Sequence, residues 1–307
     1  MNHETNAVRR AALKGWDMVK ITTPRYRTKS LAFASLIAAA MGAAIPLEAD
    51  TATDRKTVTV AGVEIEEIAP GLIRGYLEQD EQLDSMLFVL PAPASGSARQ
   101  ALDTAVASDM LALSGTPRWE IAIRDADLAF PAAAETFSCA LGVTVSEETT
   151  PTLYRLLWRS MTDIGLASYS AKNAYQRERP FMASDTAVCT PEDEEALRED
   201  GSYPSGHTAI GWGWALILTE LAPDSAEAIL ARGRAFGESR NVCNVHWYSD
   251  VVAGRLVGAG AVARLHADAE FVAVMRDART ELERARETGQ APGIDCEAEA
   301  ASLEAPT

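Results

Sequence analysis

Three short stretches of this chain carry basic and imidazole side chains at spacings suited to an oxyanion. The first holds Lys172, Arg179 and Pro180. The second reads Gly201-Ser202-Tyr203-Pro204-Ser205-Gly206-His207-Thr208, and the third holds Ser239, Arg240, His246 and Asp250. Each arginine offers a planar fork of donors to a tetrahedral anion, and lysine adds a compact charge. A Pro-Ser-Gly turn running into an apolar segment opens a helix with free N–H groups at the positive end of its dipole, a ready anion site. A carboxylate on one imidazole nitrogen fixes the tautomer and leaves the other lone pair free for attack. Taken singly, these features have ordinary readings. The cations are solvated surface charges, His207 is a satisfied core histidine, and His246 with Asp250 is an i,i+4 pair worth a few tenths of a kcal/mol. Their combination favours chemistry.

The elements that must position them read as helices. Lys172 and Arg179 are two helical turns apart, so they share a face of a helix that Pro180 ends at Arg179. Ser239-Arg240 leaves a helix running from Ser225 to about Glu238. His246 and Asp250 lie near the start of a helix over 249–266. Further apolar stripes predict helices from Ser97 to before Gly115, from Thr116-Pro117, over Pro131–Leu141, from Thr150-Pro151, and from Phe271 to about Arg286. Only Thr57–Val60 alternates like a strand. The expected fold class is all-α, a compact helical bundle around one core.

The three stretches read Lys-x6-Arg-Pro, Pro-Ser-Gly-His and Ser-Arg-x5-His-x3-Asp. They resemble the signature of the type 2 phosphatidic acid phosphatase (PAP2) superfamily, which includes bacterial nonspecific acid phosphatases, lipid phosphatases and vanadium haloperoxidases. The stretch Gly201 to Thr208 resembles the narrower signature of the class A acid phosphatases, and Leu87 to Pro93 stands where that class has a Leu- and Pro-rich segment. The resemblance covers roughly residues 84 to 284. It implies a metal-independent, cofactor-free acid phosphatase hydrolysing phosphomonoesters with broad specificity through a covalent phosphohistidine. By the same resemblance His246 is the nucleophile, His207 the general acid and Asp250 the group that orients His246. Lys172, Arg179, Ser205, Gly206 and Arg240 hold the phosphoryl oxygens. The two histidines then need pKa values pushed apart. A homo-oligomer is also implied. The alternatives are a vanadate-dependent haloperoxidase, an integral lipid phosphatase, and a phosphate-binding protein without turnover.

The chain has 307 residues, 47% hydrophobic and 23% charged, enough for a sizeable core. A net charge of −16 argues against nucleic acid and anionic membranes as partners. Residues 1–49 read as a signal peptide, with Arg25, Arg27 and Lys29 before the apolar run Leu31 to Ile45 and a cleavage site after Ala49; Met18 is an alternative start. That run is short for a membrane span, and no later stretch has the length. Residues 50–83 are then an N-terminal arm, 84–286 the helical domain, and 287–307 an acidic tail, mobile except near Cys296. The four cysteines include no C-x-x-C pair, and no metal site is expected. Their even number suits two disulfides in the periplasm or outside the cell. Three pairings are open. Cys189 follows the Arg-Pro motif and Cys243 sits inside the Ser-Arg-x5-His stretch. Both motifs must meet one phosphate, so Cys189–Cys243 is expected, leaving Cys139–Cys296.

Overall fold

The computed structural model describes residues 56–184, 186–289 and 291–304. The signal segment, its cleavage site and the alternative start lie outside the described residues. A small antiparallel sheet comes first: β1 (Thr57–Val60), β2 (Val63–Ala69) and β3 (Leu72–Ile73), in the order β1-β2-β3. Helices follow: α1 (Ala98–Leu111), α2 (Pro117–Asp125), α3 (Ser138–Leu141), α4 (Pro151–Leu166), α5 (Tyr169–Tyr175) and α6 (Pro180–Ser184). Then come α7 (Glu194–Glu199), α8 (Gly206–Leu221), α9 (Ala226–Val242), α10 (Tyr248–Leu265), α11 (Ala269–Glu287) and α12 (Cys296–Leu303). The fold is helical, as the apolar periodicity predicts. Short-range side-chain chemistry sets several starts. Ser97 Oγ accepts the Gln100 amide, Ser205 Oγ that of Thr208, and Asp268 that of Phe271.

Helix α8 runs through the middle of the bundle, flanked by α4, α9 and α10. Trp214 on α8 is fully buried and donates its indole N–H to the Leu157 carbonyl at 3.0 Å. Two glycines let α10 lie against the α8 backbone. A Cβ on Gly254 would stand 2.5 Å from the Ser205 carbonyl oxygen, and one on Gly258 would stand 2.4 Å from that of Ala209. Any side chain there pushes the helices apart. This contact sets the turn before α8 beside the start of α10, where the Ser205 amide donates to the Asp250 carbonyl at 3.0 Å.

The structure differs from the sequence reading at five places. Only β1 was foreseen in the sheet. β2 alternates imperfectly, and β3 is two residues long, too short to signal itself. Leu72 and Ile73 are fully buried in the main core, so the segment 57–73 packs with the helical body. Residues 131–141 form a 3-10 segment, Ala132–Phe137, followed by the short α3, which Gly142 ends in the left-handed region at φ +71°. Helix α5 stops at Tyr175 rather than Arg179, with Gln176 left-handed at φ +42°. Residues 177–179 then run beside 201–202, where Ser202 N donates to the Arg177 carbonyl at 2.8 Å. Pro180 begins α6, the place where its missing N–H costs nothing. Helix α9 carries Ser239 and Arg240 inside it and runs on to Val242, and the left-handed Asn244 (φ +60°) turns the chain just beyond. The tail forms α12, whose Glu299 is buried beside Arg232. Cys139 is bonded to Cys296 and Cys189 to Cys243.

One clamp ties the sheet segment to α4. Asp163 accepts the amides of Tyr76 (2.7 Å) and Leu77 (3.2 Å) and the Gln82 side-chain amide (3.0 Å). Burial pushes its carboxyl up to about 6 in spite of those donors. The folded value lies above the unfolded one near 3.8, so the folded state prefers the protonated acid. That contribution to stability is whole below about pH 3.8 and is lost as pH rises through 6, to a limit of about 3 kcal/mol. Asp163→Asn is expected to flatten the fall in melting temperature between pH 4 and pH 7. An unchanged slope would remove Asp163 from that account.

Candidate active site

Each stretch delivers its side chains from a different element. Lys172 comes from α5, Arg179 from the extended segment before α6, and Ser205 caps α8, with Gly206 and His207 in its first turn. Arg240 comes from the last turn of α9. His246 precedes α10, and Asp250 sits in the first turn of that helix. His246 and Asp250 therefore meet across the helix start rather than along one helical face. The reason is local: Asp250 Oδ2 accepts the Trp247 amide at 2.8 Å, which closes the first turn and brings the carboxylate back toward residue 246.

Lys172, Arg179, Arg240, His246 and Asp250 are all buried, and His207 is half-buried. His246 Nδ1 stands 3.4 Å from Asp250 Oδ2. Its Nε2 stands 3.1 Å from Arg179 Nη1, which can only donate. Nε2 is thus the lone-pair nitrogen, and the proton of the neutral ring sits on Nδ1, toward Asp250. His207 Nε2 lies 3.2 Å from the Ala126 carbonyl, which can only accept, so its proton sits on Nε2. A Cβ on Gly206 would stand 3.8 Å from Lys172 Cε, so the α8 N-terminus and the lysine are neighbours. The Ser205 amide is committed to Asp250, and its hydroxyl accepts from the Thr208 amide and hydroxyl. Its O–H remains to donate. The Ser239 hydroxyl accepts from Arg118 Nη1 at 2.9 Å and donates to Asp125 at 2.6 Å.

The charges act on one another. Burial lowers the pKa of His207 well below the usual imidazole value, and Arg240 adds to the effect. Burial likewise lowers His246, with Arg179, Lys172 and Arg240 adding to it. Both histidines thus move the same way, downward. Burial lowers Lys172 and Arg179 as well, and raises Asp250 in spite of Arg177. Among the described residues no group of three His, Cys, Asp or Glu stands as a metal-binding cluster, and no helix is long and apolar enough to cross a membrane.

Two members of the cluster escaped the sequence reading. Asp200 Oδ2 accepts from Lys172 Nζ at 2.8 Å and from Arg179 Nη2 at 3.0 Å, tying the two cations together. Burial alone would raise its carboxyl, but Lys172 and Arg179 outweigh that and hold it below the usual range. Its only signal was adjacency to Gly201. Arg177 lies inside the first stretch, between Lys172 and Arg179, and donates to Asp250 Oδ1 at 2.5 Å. His266 bonds Glu220 on the protein surface and takes no part.

Residues 155–271, a span that includes all three stretches, match the model of the PAP2 superfamily. An acid phosphatase of Zymomonas mobilis is 45% identical over 213 residues, 68% of this chain and 79% of that protein. A non-specific acid phosphatase of Providencia stuartii is 42% identical over 67% of this chain and 84% of its own length. One from Salmonella typhimurium is 38% identical over 68% and 84% respectively. The chain belongs to the PAP2 superfamily and, within it, to the nonspecific acid phosphatases of class A.

Proposed function

We propose that this enzyme hydrolyses phosphomonoesters of broad structure by two in-line displacements at His246, without a metal ion. The observation that carries this is the orientation of His246, with Nδ1 toward Asp250 and Nε2 toward the guanidinium of Arg179. A phosphoryl group held by Arg179, Lys172, Arg240, the Ser205 hydroxyl and the α8 amides puts phosphorus in front of that lone pair. Its oxygens compete for Arg179 and release Nε2. Nε2 then bonds to phosphorus as the ester P–O bond breaks, and the leaving oxygen takes a proton from His207. Water next attacks the phosphohistidine, gives its proton to His207 and frees inorganic phosphate.

The protonation states follow from substrate charge. In the free site burial disfavours both imidazoliums, and the cations add to it. A bound phosphate anion offsets Arg240, Arg179 and Lys172 and raises both values. The Ala126 carbonyl favours the imidazolium of His207, whereas Arg179 disfavours that of His246. His207 is therefore the ring that gains the proton, most readily below neutral pH. Two disulfides, and a sequence that is basic and then apolar near its N-terminus, support a periplasmic or secreted location for the mature enzyme.

The test is a panel of alkyl, aryl and sugar phosphates assayed across acid and neutral pH, with and without chelator. Broad hydrolysis unaffected by chelation is expected, with vanadate inhibiting competitively as a phosphate-shaped oxyanion. Loss of activity to chelator, restored by a divalent metal, would refute the metal-free reading.

A further inference from the structure

Helix α1 buries a single residue, and that residue is a carboxylate, Asp103. A lone carboxylate at a helix's contact face adds no apolar burial and must be paired to be tolerated. Its partners lead to the site. Asp103 Oδ1 accepts the Ser249 amide at 2.7 Å. Its Oδ2 accepts the Ser249 hydroxyl at 2.7 Å and Arg177 Nη2 at 2.6 Å. The other arm of the Arg177 fork, Nη1, donates to Asp250 Oδ1 at 2.5 Å and to Ser249 Oγ at 2.8 Å. Gln100 Oε1 accepts from Nη2 at 2.7 Å, and the guanidinium carbon lies 5.3 Å from the centre of the Trp247 ring. Asp250 in turn faces His246. Four side chains from three separated parts of the chain thus form one row, Asp103–Arg177–Asp250–His246.

We propose that Arg177, held by Asp103, is a positioning residue for the attacking imidazole, keeping the Asp250 carboxylate ionised and aimed at His246. The proposal rests on His246 being the nucleophile. One guanidinium shared by two buried carboxylates fixes Oδ1 of Asp250 in a fork geometry that lysine cannot copy. Oδ2 is left for the Trp247 amide and the imidazole. Without Arg177, Asp250 would be a buried carboxylate answered by the Trp247 amide, the Ser202 hydroxyl and the more distant Lys172 and Arg179.

The sign of the pH effect follows from the groups around the pair. Asp250 is faced by Arg177, Ser202, His246, Lys172 and Arg179, with Tyr203 nearby and Asp103 behind Arg177. His246 also feels Arg240 and His207. Attack requires Asp250 ionised and His246 neutral. Removing the Arg177 cation raises the pKa of both, so the acid limb of the kcat/KM profile must move to higher pH. The substrate's own ionisation is the same for every variant and cancels from the comparison.

The experiment measures three things in the full-length mature enzyme and its variants Arg177→Gln, Arg177→Lys and Asp103→Asn. These are the pH profile of kcat/KM for p-nitrophenyl phosphate, the pre-steady-state rate of phosphohistidine formation, and competitive inhibition by vanadate. Arg177→Gln is expected to slow phosphohistidine formation by about 10- to 100-fold, the usual scale for a residue that orients a reacting group through another. Vanadate affinity should stay within about threefold, because the oxyanion cradle is untouched. The acid limb should move up in Arg177→Gln, return most of the way in Arg177→Lys, and not move up in Asp103→Asn, where the cation is kept and an anion is lost. Arg177 also lines a groove of about 590 Å³ beside Gln100, Thr104 and Trp247, so added methylguanidine should restore part of the rate to Arg177→Ala. A wild-type acid limb and phosphohistidine rate in Arg177→Gln would overturn the proposal. So would losses of rate and vanadate affinity in equal proportion, the mark of a loosened fold. Should Arg177→Gln fail to fold, Arg177→Lys decides: a wild-type rate of phosphohistidine formation there would overturn the proposal, because lysine keeps the charge but not the fork. Wild-type enzyme that forms no phosphohistidine would instead sink the reading on which the proposal rests.

Discussion

Replacing His246 with alanine is expected to lower kcat/KM by on the order of 10,000-fold or more, alike for alkyl and aryl phosphates. The nucleophile is needed whatever group leaves, so the loss should not depend on the substrate. The fold should survive. Asp250 keeps Arg177 and the Trp247 amide as partners, and Arg179 keeps the Val245 carbonyl and Asp200. The oxyanion cradle therefore remains, and vanadate should still bind, though without the nitrogen that faces it. Circular dichroism and vanadate protection against thermal unfolding check both points. Residual turnover within about tenfold of wild type would mean that another group attacks phosphorus.

His207→Ala should behave differently, because a general acid matters only when the departing oxygen needs a proton. An alkoxide is a poor leaving group, whereas nitrophenolate leaves unprotonated. The variant is expected to lose roughly 100- to 10,000-fold in kcat/KM toward an alkyl phosphate. Toward p-nitrophenyl phosphate it should lose far less. The comparison uses kcat/KM because that quantity reports only up to the first irreversible step, phosphohistidine formation. kcat also contains the second displacement, in which the proposed mechanism has His207 activate water. The Ala126 carbonyl holds Nε2, which leaves Nδ1 for the proposed proton transfer. Equal losses on the two substrates would make His207 a binding residue and leave the acid unassigned.

Much of the candidate site was legible because motif spacing is local while the chemistry depends on residue type. Two arginines, a lysine and two histidines in three stretches suggest an oxyanion cradle, and the fold brings these side chains near one another. What the spacing did not reveal was the backbone that achieves it. Seven residues between Lys172 and Arg179 suggested two turns of helix. The chain instead breaks at Gln176 and reaches the same place in an extended run paired with Ser202. Asp200 and Asp103 were illegible for another reason. A single carboxylate has no periodicity, and its partners lie 28 and 74 residues away along the chain. The helices were readable from apolar stripes and caps such as Thr116-Pro117. Strand β3 was not, because its two residues owe their burial to packing against α4 and are too few to show a pattern.

The central claim is a covalent phosphohistidine at His246, and the direct measurement is to trap it. Enzyme mixed with labelled substrate for milliseconds is quenched into alkaline denaturant, where a phosphoramidate survives, and digested for peptide mapping. The account predicts close to one label per active site on the peptide containing His246, released by brief exposure to acid and absent from His246→Ala. Label on a serine or an aspartate, or no label under conditions that give a burst of product, would contradict it.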